Sequence, residues 1–191
     1  MALETTRDSE RSRAAILEAA ERLFAADGYD RTSLAAIGEA AGVSRGLPSY
    51  FFSSKQELYD AVLDRSARII HDLLESMKRA LHERGLEPAL EHYVDLYVDF
   101  LVTNPNVVRL LQWQFLQGDP SRNAPVTAAF HEMVAILAAR VPSRKGHDAR
   151  LLTLSVTGMS LFPFMTAPRD AAFANTYKRH LIQLLREGAR M

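Results

Sequence analysis

The chain contains no cysteine among its 191 residues. This absence excludes a disulfide framework, a thiolate zinc site and a cysteine nucleophile, and it fits a reducing compartment, so we expect a cytoplasmic protein. Hydrophobic residues make up 48% and charged residues 24%, which is ordinary for a globular protein. A chain of this length can bury a sizeable core without disulfides or metals.

Long apolar runs are also missing. The most apolar stretch, residues 151–165, contains Pro163 and several hydroxyl side chains. It is shorter than the ~20 residues that a membrane helix needs. The first eight residues are polar and mixed in charge, which is not typical of a secretory signal. We therefore expect no membrane partner, and residues 151–165 are predicted to form a buried helix.

A surplus of positive charge is absent, since the formal net charge is zero. This counts against a DNA partner, because DNA-binding domains usually carry a basic surplus. The distribution of charge is more informative. Between Glu39 and Glu57 there is no acidic residue, and the only charged side chains are Arg45 and Lys55. Contact with phosphates requires such a locally positive face.

Apolar residues recur at helical spacing along the chain, with no alternating strand pattern and no internal repeat. Gly28 is expected to end the first helix with a left-handed cap, and Ser54 with Glu57 has the form of a capping box. The predicted helices span residues 12–26, 34–41, 45–51, 55–84, 88–102, 107–117, 126–141, 148–165 and 170–188.

The predicted fold class is all-α. A three-helix helix-turn-helix head, residues 1–58, is joined by a long fourth helix to a C-terminal helical bundle, residues 59–191. In the head, residues 41–44 join the second and third helices. Gly42 tolerates the backbone angles of the turn, Val43 pins the turn to the core, and Ser44 is a candidate N-cap of the third helix. Small residues are expected where the two helices cross, at Gly38, Ala40 and Ala41.

The run from Thr32 to Gly46, followed by Tyr50-Phe51-Phe52 and by Ser54-Lys55-Gln56-Glu57-Leu58, resembles the tetracycline-repressor (TetR) family. The specific match covers about Ile16 to Val62, and beyond it only length, helicity and a closing pair of apolar helices agree. The resemblance implies a transcriptional regulator rather than an enzyme. It also implies a homodimer through the last two helices, and repression that a small-molecule effector in the C-terminal bundle relieves. A two-fold dimer predicts a near-palindromic operator in double-stranded DNA.

The third helix departs from the family pattern. Members commonly read Gly-Thr-Leu-Tyr-Tyr-His/Tyr-Phe, whereas residues 46–52 here read Gly-Leu-Pro-Ser-Tyr-Phe-Phe. Pro48 stands where a buried leucine is usual, and Ser49 replaces an aromatic residue. Because Pro48 lies near the helix start, its missing N–H costs only about one internal hydrogen bond. We expect a short, slightly re-aimed third helix whose base preference does not follow other members.

The candidate DNA contacts are Thr32, Ser33, Ser44, Arg45, Leu47, Pro48, Ser49, Tyr50 and Lys55. Arg45 suits a bidentate contact to a guanine edge; the alternatives are a phosphate contact or a solvated side chain. Tyr50 suits a phosphate contact or a place in the core, although Phe51 and Phe52 fit the core better. Lys55 is expected at a phosphate beside the N-terminus of the fourth helix.

Four further roles in the head are open. Thr32 and Ser33 either cap the second helix alone or also contact phosphates. Ser49 and Leu47 are candidates for a polar and a methyl contact to bases.

Large, adaptable side chains collect in the C-terminal region. Most belong to the core, and a few are expected to line an apolar cavity with sparse polar groups, which predicts a small, largely apolar effector. The candidate ligand-binding residues are Tyr93, Tyr97, Phe100, Arg109, Trp113, Phe130, Met133, Met159 and Phe162. The last predicted helix carries an apolar stripe that suits a dimer interface or a monomeric core, namely Phe173, Tyr177, Leu181, Leu184 and Leu185.

Two other classes compete with a DNA-binding regulator. Glu91, Asp95 and Asp99 fall at helical spacing beside His92, so a di-metal enzyme is one alternative, but no Glu-x-x-His pair occurs. A solvated acidic stripe explains these residues better, and we expect no metal, no cofactor and no enzymatic activity. The other alternative is a protein-interaction module that uses the same head without DNA. Steep salt dependence of DNA binding distinguishes the two.

Overall fold

The computed structural model describes residues 2–83, 86–117, 128, 132, 135 and 170–190. Every regular element in this part of the chain is a helix, which confirms the all-α prediction. The helices are α1 (Ala2–Asp27), α2 (Leu34–Ala40), α3 (Leu47–Phe51), α4 (Lys55–Glu83), α5 (Leu86–Thr103), α6 (Pro105–Gln117) and α7 (Ala171–Arg190). The helices predicted at residues 126–141 and 148–165 lie almost wholly outside the described residues. None of the described helices is long and apolar enough to cross a membrane.

The chain divides into two compact units. The first unit consists of Met1–Ser66 and Asn106–Asn123, and the second of Ala67–Pro105 and Ala124–Met191. Helix α4 therefore contributes its first part to one unit and its remainder to the other. The functional division predicted after residue 58 stays a prediction.

The core of the first unit is built from α1, α2, α4 and the end of α3. Ile16, Ala20 and Phe24 are fully buried and lie four residues apart, on one face of α1. Ile37 of α2 and Phe52, which follows α3, are buried in the same cluster. Burying a large apolar side chain contributes roughly 1.5–3 kcal/mol, so this cluster holds short helices that would not form alone.

Three helix ends have the caps that the sequence predicts. Gly28 has a φ of 81° and its N–H bonds to the Phe24 carbonyl at 3.0 Å, which ends α1. Ser33 caps α2, since its hydroxyl accepts the Ala36 N–H at 3.1 Å. Ser54 caps α4 by accepting the Glu57 N–H at 3.0 Å.

The capping box at α4 differs from the prediction in its second half. Glu57 does not reach back to Ser54; its carboxylate accepts from the N–H and the hydroxyl of Ser53. Both hydrogen bonds hold the pKa of Glu57 below its ordinary value of 4.5. The bond from the Ser53 hydroxyl has the larger effect, and the bond from the Ser53 N–H the smaller one. The start of α4 is thus fixed by both preceding serines.

In the second unit α5 packs against α7. Tyr93, Tyr97 and Leu101 are buried on α5, and Ala174 and Leu181 are buried on α7. The two tyrosine rings of α5 stack at 5.8 Å between centroids, with an interplanar angle of 6°.

The acidic residues of α5 pair with basic residues of α7. Lys178 Nζ lies 2.8 Å from Asp99 and 3.3 Å from Asp95, and Arg186 pairs with Glu91. Burial opposes the charge on Lys178, but hydrogen bonds to Asp99 and Asp95 outweigh it and raise the pKa of Lys178. The carboxylates of Glu91, Asp95 and Asp99 are 46%, 53% and 62% exposed, so the row is solvated as predicted; its pairing with α7 was not predicted.

Candidate nucleic-acid interface

The turn between α2 and α3 depends on two glycines. Gly42 has a φ of 70°, a conformation that side chains disfavour. At Gly38 an added Cβ would lie 2.9 Å from the Ser44 carbonyl oxygen and 3.1 Å from Arg45 Cα. The prediction of a small residue at the helix crossing is confirmed at Gly38. It is wrong for Ala40, which is exposed.

Helix α3 begins at Leu47, two residues later than predicted. Its N-cap is Gly46, which has no side chain to cap the helix, so the predicted capping by Ser44 is wrong. Instead the Ser44 carbonyl accepts the Leu47 N–H at 3.0 Å and closes a turn ahead of the helix. Pro48 lies in the first turn of α3, where the N–H has no helical partner in any case. The expected cost of about one hydrogen bond is therefore not incurred.

Some of the predicted contact residues around α3 are exposed and others are buried. Ser44, Arg45, Ser49 and Tyr50 are exposed, as is Ser33 at the start of α2. Tyr50 is 80% exposed, which excludes its alternative place in the core.

Other side chains hold α3 to the unit. Phe52 is 1% exposed and fills the core place that Tyr50 does not take. Pro48 is buried and Leu47 is half-buried, packed against the same core. The exposed side chains of α3 are thus held in place by buried neighbours. Pro48 could contact a partner only if the residues that cover it moved.

Arg45 is paired within the head. Its Nη2 lies 3.1 Å from Glu39 Oε2 on α2, and both side chains are largely exposed. The sequence alternatives for Arg45 did not include this partner. The spacing of six residues across a turn is not a helical contact, so only the folded turn brings the two charges together.

Lys55 and Thr32 are engaged in the loop between α1 and α2. The ammonium of Lys55 donates to the carbonyls of Tyr29 at 2.9 Å and Thr32 at 3.0 Å, and lies 4.2 Å from the centre of the Tyr29 ring. Thr32 is buried, and its hydroxyl donates to the Gly28 carbonyl at 2.8 Å. Thr32 is therefore not the cap of α2, which is Ser33. Phosphate contacts by Thr32 and Lys55 stay predictions.

One basic side chain near α3 was missed by sequence reasoning. The guanidinium of Arg13 on α1 lies 5.0 Å from the centre of the Phe52 ring, a cation–π arrangement. No local pattern marks Arg13, because the contact depends on the packing of α1 beside the residue that follows α3.

The predicted ligand-binding residues are distributed over both units, and four of them lie outside the described residues. Tyr93, Tyr97 and Phe100 are buried on α5 in the second unit. Trp113 belongs to the first unit, where its indole N–H donates to the Ala25 carbonyl at 3.1 Å. Arg109, also of the first unit, is exposed. Phe130, Met133, Met159 and Phe162 lie outside the described residues.

The turn, the close crossing at Gly38 and the exposed edge of α3 define a helix-turn-helix protein. Residues 16–62 match the family model described as bacterial regulatory proteins, tetR family. This match confirms, for the head of the chain, the resemblance that the sequence motifs predict.

Two relatives and one solved structure illustrate the likeness. The probable HTH-type transcriptional regulator ArpR of Pseudomonas putida is 41% identical over 89 residues, 46% of this chain and 40% of that protein. The HTH-type transcriptional regulator TtgR, also of Pseudomonas putida, is 46% identical over 74 residues, 39% of this chain and 35% of that protein. The matches thus span less than half the length of either relative.

The fold is similar over a larger part of the chain. A TetR-like transcriptional regulator from Rhodococcus sp. RHA1 superposes with a TM-score of 0.75 at 19% identity, covering 93% of this chain and 94% of the other. This likeness shows the fold, including a helical C-terminal part.

The relatives also bear on the enzyme alternative. Both are transcriptional regulators, which agrees with the expectation that the chain is not an enzyme. Within the part of the chain that the structure describes, no group of three or more His, Cys, Asp or Glu side chains is arranged to hold a metal ion.

Proposed function

We propose that this chain is a sequence-specific, DNA-binding transcriptional regulator of the cytoplasm. In this proposal it is a homodimeric repressor that leaves a near-palindromic operator when a small, largely apolar effector binds. The observation that carries the DNA-binding part is the exposed edge of the head formed by Arg45, Ser49 and Tyr50, which we name the reading edge.

The reading edge has the chemistry that a duplex requires. Arg45 supplies N–H donors that match the O6 and N7 acceptors of guanine, and Ser49 offers a hydroxyl that both donates and accepts. Tyr50, at 80% exposure, extends a hydroxyl beyond the head, where a phosphate oxygen is a suitable acceptor. Pro48 and Phe52 are buried, so α3 presents Ser49 and Tyr50 from a fixed position, and the turn before α3 presents Arg45.

The dimer is proposed through α7 and the helix predicted at residues 148–165, which lies outside the described residues. On α7 the side chains of Phe173 and Tyr177 are half-buried and stack at 5.7 Å, and Leu184 is 38% exposed. These residues lie beside the face of α7 that packs on α5. They form an apolar strip against which a further helix could pack. In a two-fold dimer the two reading edges would lie about one turn of DNA apart. Each would contact the same half-site sequence, so the operator would be near-palindromic.

The effector proposal is supported by the aromatic side chains of α5. Tyr93, Tyr97 and Phe100 are buried, and such side chains suit an apolar ligand of modest size. A strongly charged effector would need buried charges of opposite sign, and the charged side chains described on α5 are engaged with α7.

Nuclease footprinting of the purified protein on DNA upstream of its own gene tests the proposal. We expect one protected, near-palindromic segment. Protection should weaken by orders of magnitude between about 50 and 200 mM salt, since several phosphates are neutralised. Repeating the footprint with a panel of small aromatic and aliphatic compounds tests release. Absence of any protected segment at low salt would contradict DNA regulation, whereas protection that no compound relieves would contradict only the effector.

A further inference from the structure

Glu39 and Arg45 form an ion pair across the turn of the helix-turn-helix. Glu39 lies on α2, three residues before Gly42, and Arg45 lies two residues before α3. Arg45 Nη2 and Glu39 Oε2 are 3.1 Å apart, and the two side chains are 75% and 69% exposed. The carboxylate therefore holds the cation of the reading edge at the surface of the head.

The pair leaves part of the guanidinium available. A guanidinium carries several N–H donors in a planar fork, and the contact with Glu39 uses Nη2 alone. Two further N–H groups are enough for a bidentate contact to guanine O6 and N7. A base contact is thus compatible with the pair, and any movement of the guanidinium away from Glu39 requires the pair to break.

The pair also lowers the free positive charge of the head near DNA. Between Glu39 and Glu57 the only cations are Arg45 and Lys55, and the Lys55 ammonium already donates to two backbone carbonyls. Affinity for DNA of arbitrary sequence rises with the number of phosphates that cations neutralise. Neutralising Arg45 by Glu39 should therefore weaken that kind of binding in particular.

We propose that Glu39 is a positioning residue that restrains Arg45, so that Arg45 contributes to reading a base edge and little to binding phosphates of arbitrary sequence. The inference rests on the proposed function, because it presumes that the head binds DNA. Helix α2 then contributes to specificity through Glu39, which positions Arg45 but does not itself contact a base.

The test compares the wild type with Glu39→Gln on a random-sequence duplex, so it does not require a known operator. Dissociation constants are measured by fluorescence anisotropy from about 50 to 200 mM KCl. We expect Glu39→Gln to bind about three- to tenfold more tightly at low salt, with a log–log salt slope steeper by about 0.9, the value for one more phosphate contact. Because an exposed ion pair adds little to stability, the urea unfolding midpoint should not change.

Two controls separate the pair from a general charge effect. Glu18→Gln removes the same charge from an exposed position of α1 and should change affinity by less than about twofold. In an Arg45→Gln background, Glu39→Gln should also act by less than about twofold, since its partner is gone.

The outcomes are distinguishable. An unchanged affinity and slope for Glu39→Gln, or an equal gain with and without Arg45, would overturn the role of Glu39 while leaving DNA binding intact. A wild type that does not bind the duplex even at low salt would contradict the proposed function itself.

Discussion

Along α3 exposed and buried side chains lie within two positions of each other. Tyr50 is exposed while Pro48 and Phe52 are buried, so the outer residues can change without loss of the core. Gly38 cannot change in this way, because its lack of a side chain lets α2 pack closely against the turn. Function and stability therefore depend on different residues that are only a few positions apart.

Arg45→Ala should weaken binding to the operator by about 1–3 kcal/mol, because a bidentate guanine contact is lost. The dimer should persist, since Arg45 is exposed and lies in the head. Anisotropy titration of an operator fragment measures the first effect, and analytical ultracentrifugation the second. The control is Arg68→Ala, an exposed arginine of α4 in the second unit. Equal affinity of wild type and Arg45→Ala would remove Arg45 from the reading edge.

Gly38→Ala should lower the free energy of unfolding by about 1–3 kcal/mol, because its Cβ would overlap backbone atoms of the turn. That Cβ would lie 2.9 Å from the Ser44 carbonyl oxygen. Gly46→Ala is the matched control, since no atom lies within 4 Å of its added Cβ and its φ of −86° suits any residue. Urea unfolding followed by circular dichroism measures both. If the two variants were equally stable, the close crossing at Gly38 would not be a constraint.

Among the described helices α3 is the shortest, and its position depends on its surroundings. It has five residues, far fewer than the ~12–15 that an isolated helix needs, so packing of Leu47, Pro48 and Phe52 must hold it. The caps of α1, α2 and α4 were predictable from sequence, because each depends on neighbours within four residues. The start of α3 was not, because it is fixed by the crossing with α2 and by Pro48.

The start of α4 should respond to acid through Glu57. Its pKa is lowered in the folded state, so the ionised carboxylate stabilises the fold above the ordinary value of 4.5 and loses this effect as the pH falls through the lowered pKa. The difference in melting temperature between wild type and Glu57→Gln should therefore be present at neutral pH and shrink below about pH 4.5. Calorimetry across pH 3 to 7 measures it.

Ser53 supplies the control for this acid response. In a Ser53→Ala background the hydroxyl donor is missing, so the pH-dependent part of the Glu57→Gln difference should become smaller. A difference that is unaffected by pH, or by the loss of the Ser53 hydroxyl, would contradict the assignment of the pKa shift to Ser53.

At the scale of the molecule, the first unit is not made from the N-terminal residues alone. Leu110 of α6 belongs to its core, Trp113 bonds to Ala25, and Asn106 bonds to Glu21 at 3.4 Å. Sequence periodicity predicted α6 but not this packing, because the partners lie more than 80 positions apart. The pairing of α5 with α7 was missed for the same reason. The pairing of Glu39 with Arg45 was missed for another reason: the two residues are six positions apart, and only the folded turn brings them together.

Selection of binding sites from a pool of random duplexes, followed by sequencing, tests the central claim most directly. The account predicts that the purified protein enriches one motif with two-fold symmetry, whose half-sites lie about 10 base pairs apart or slightly more. It also predicts that Arg45→Ala loses preference at one position of each half-site. Recovery of a pool with no enriched motif would contradict the claim that the edge formed by Arg45, Ser49 and Tyr50 reads DNA sequence.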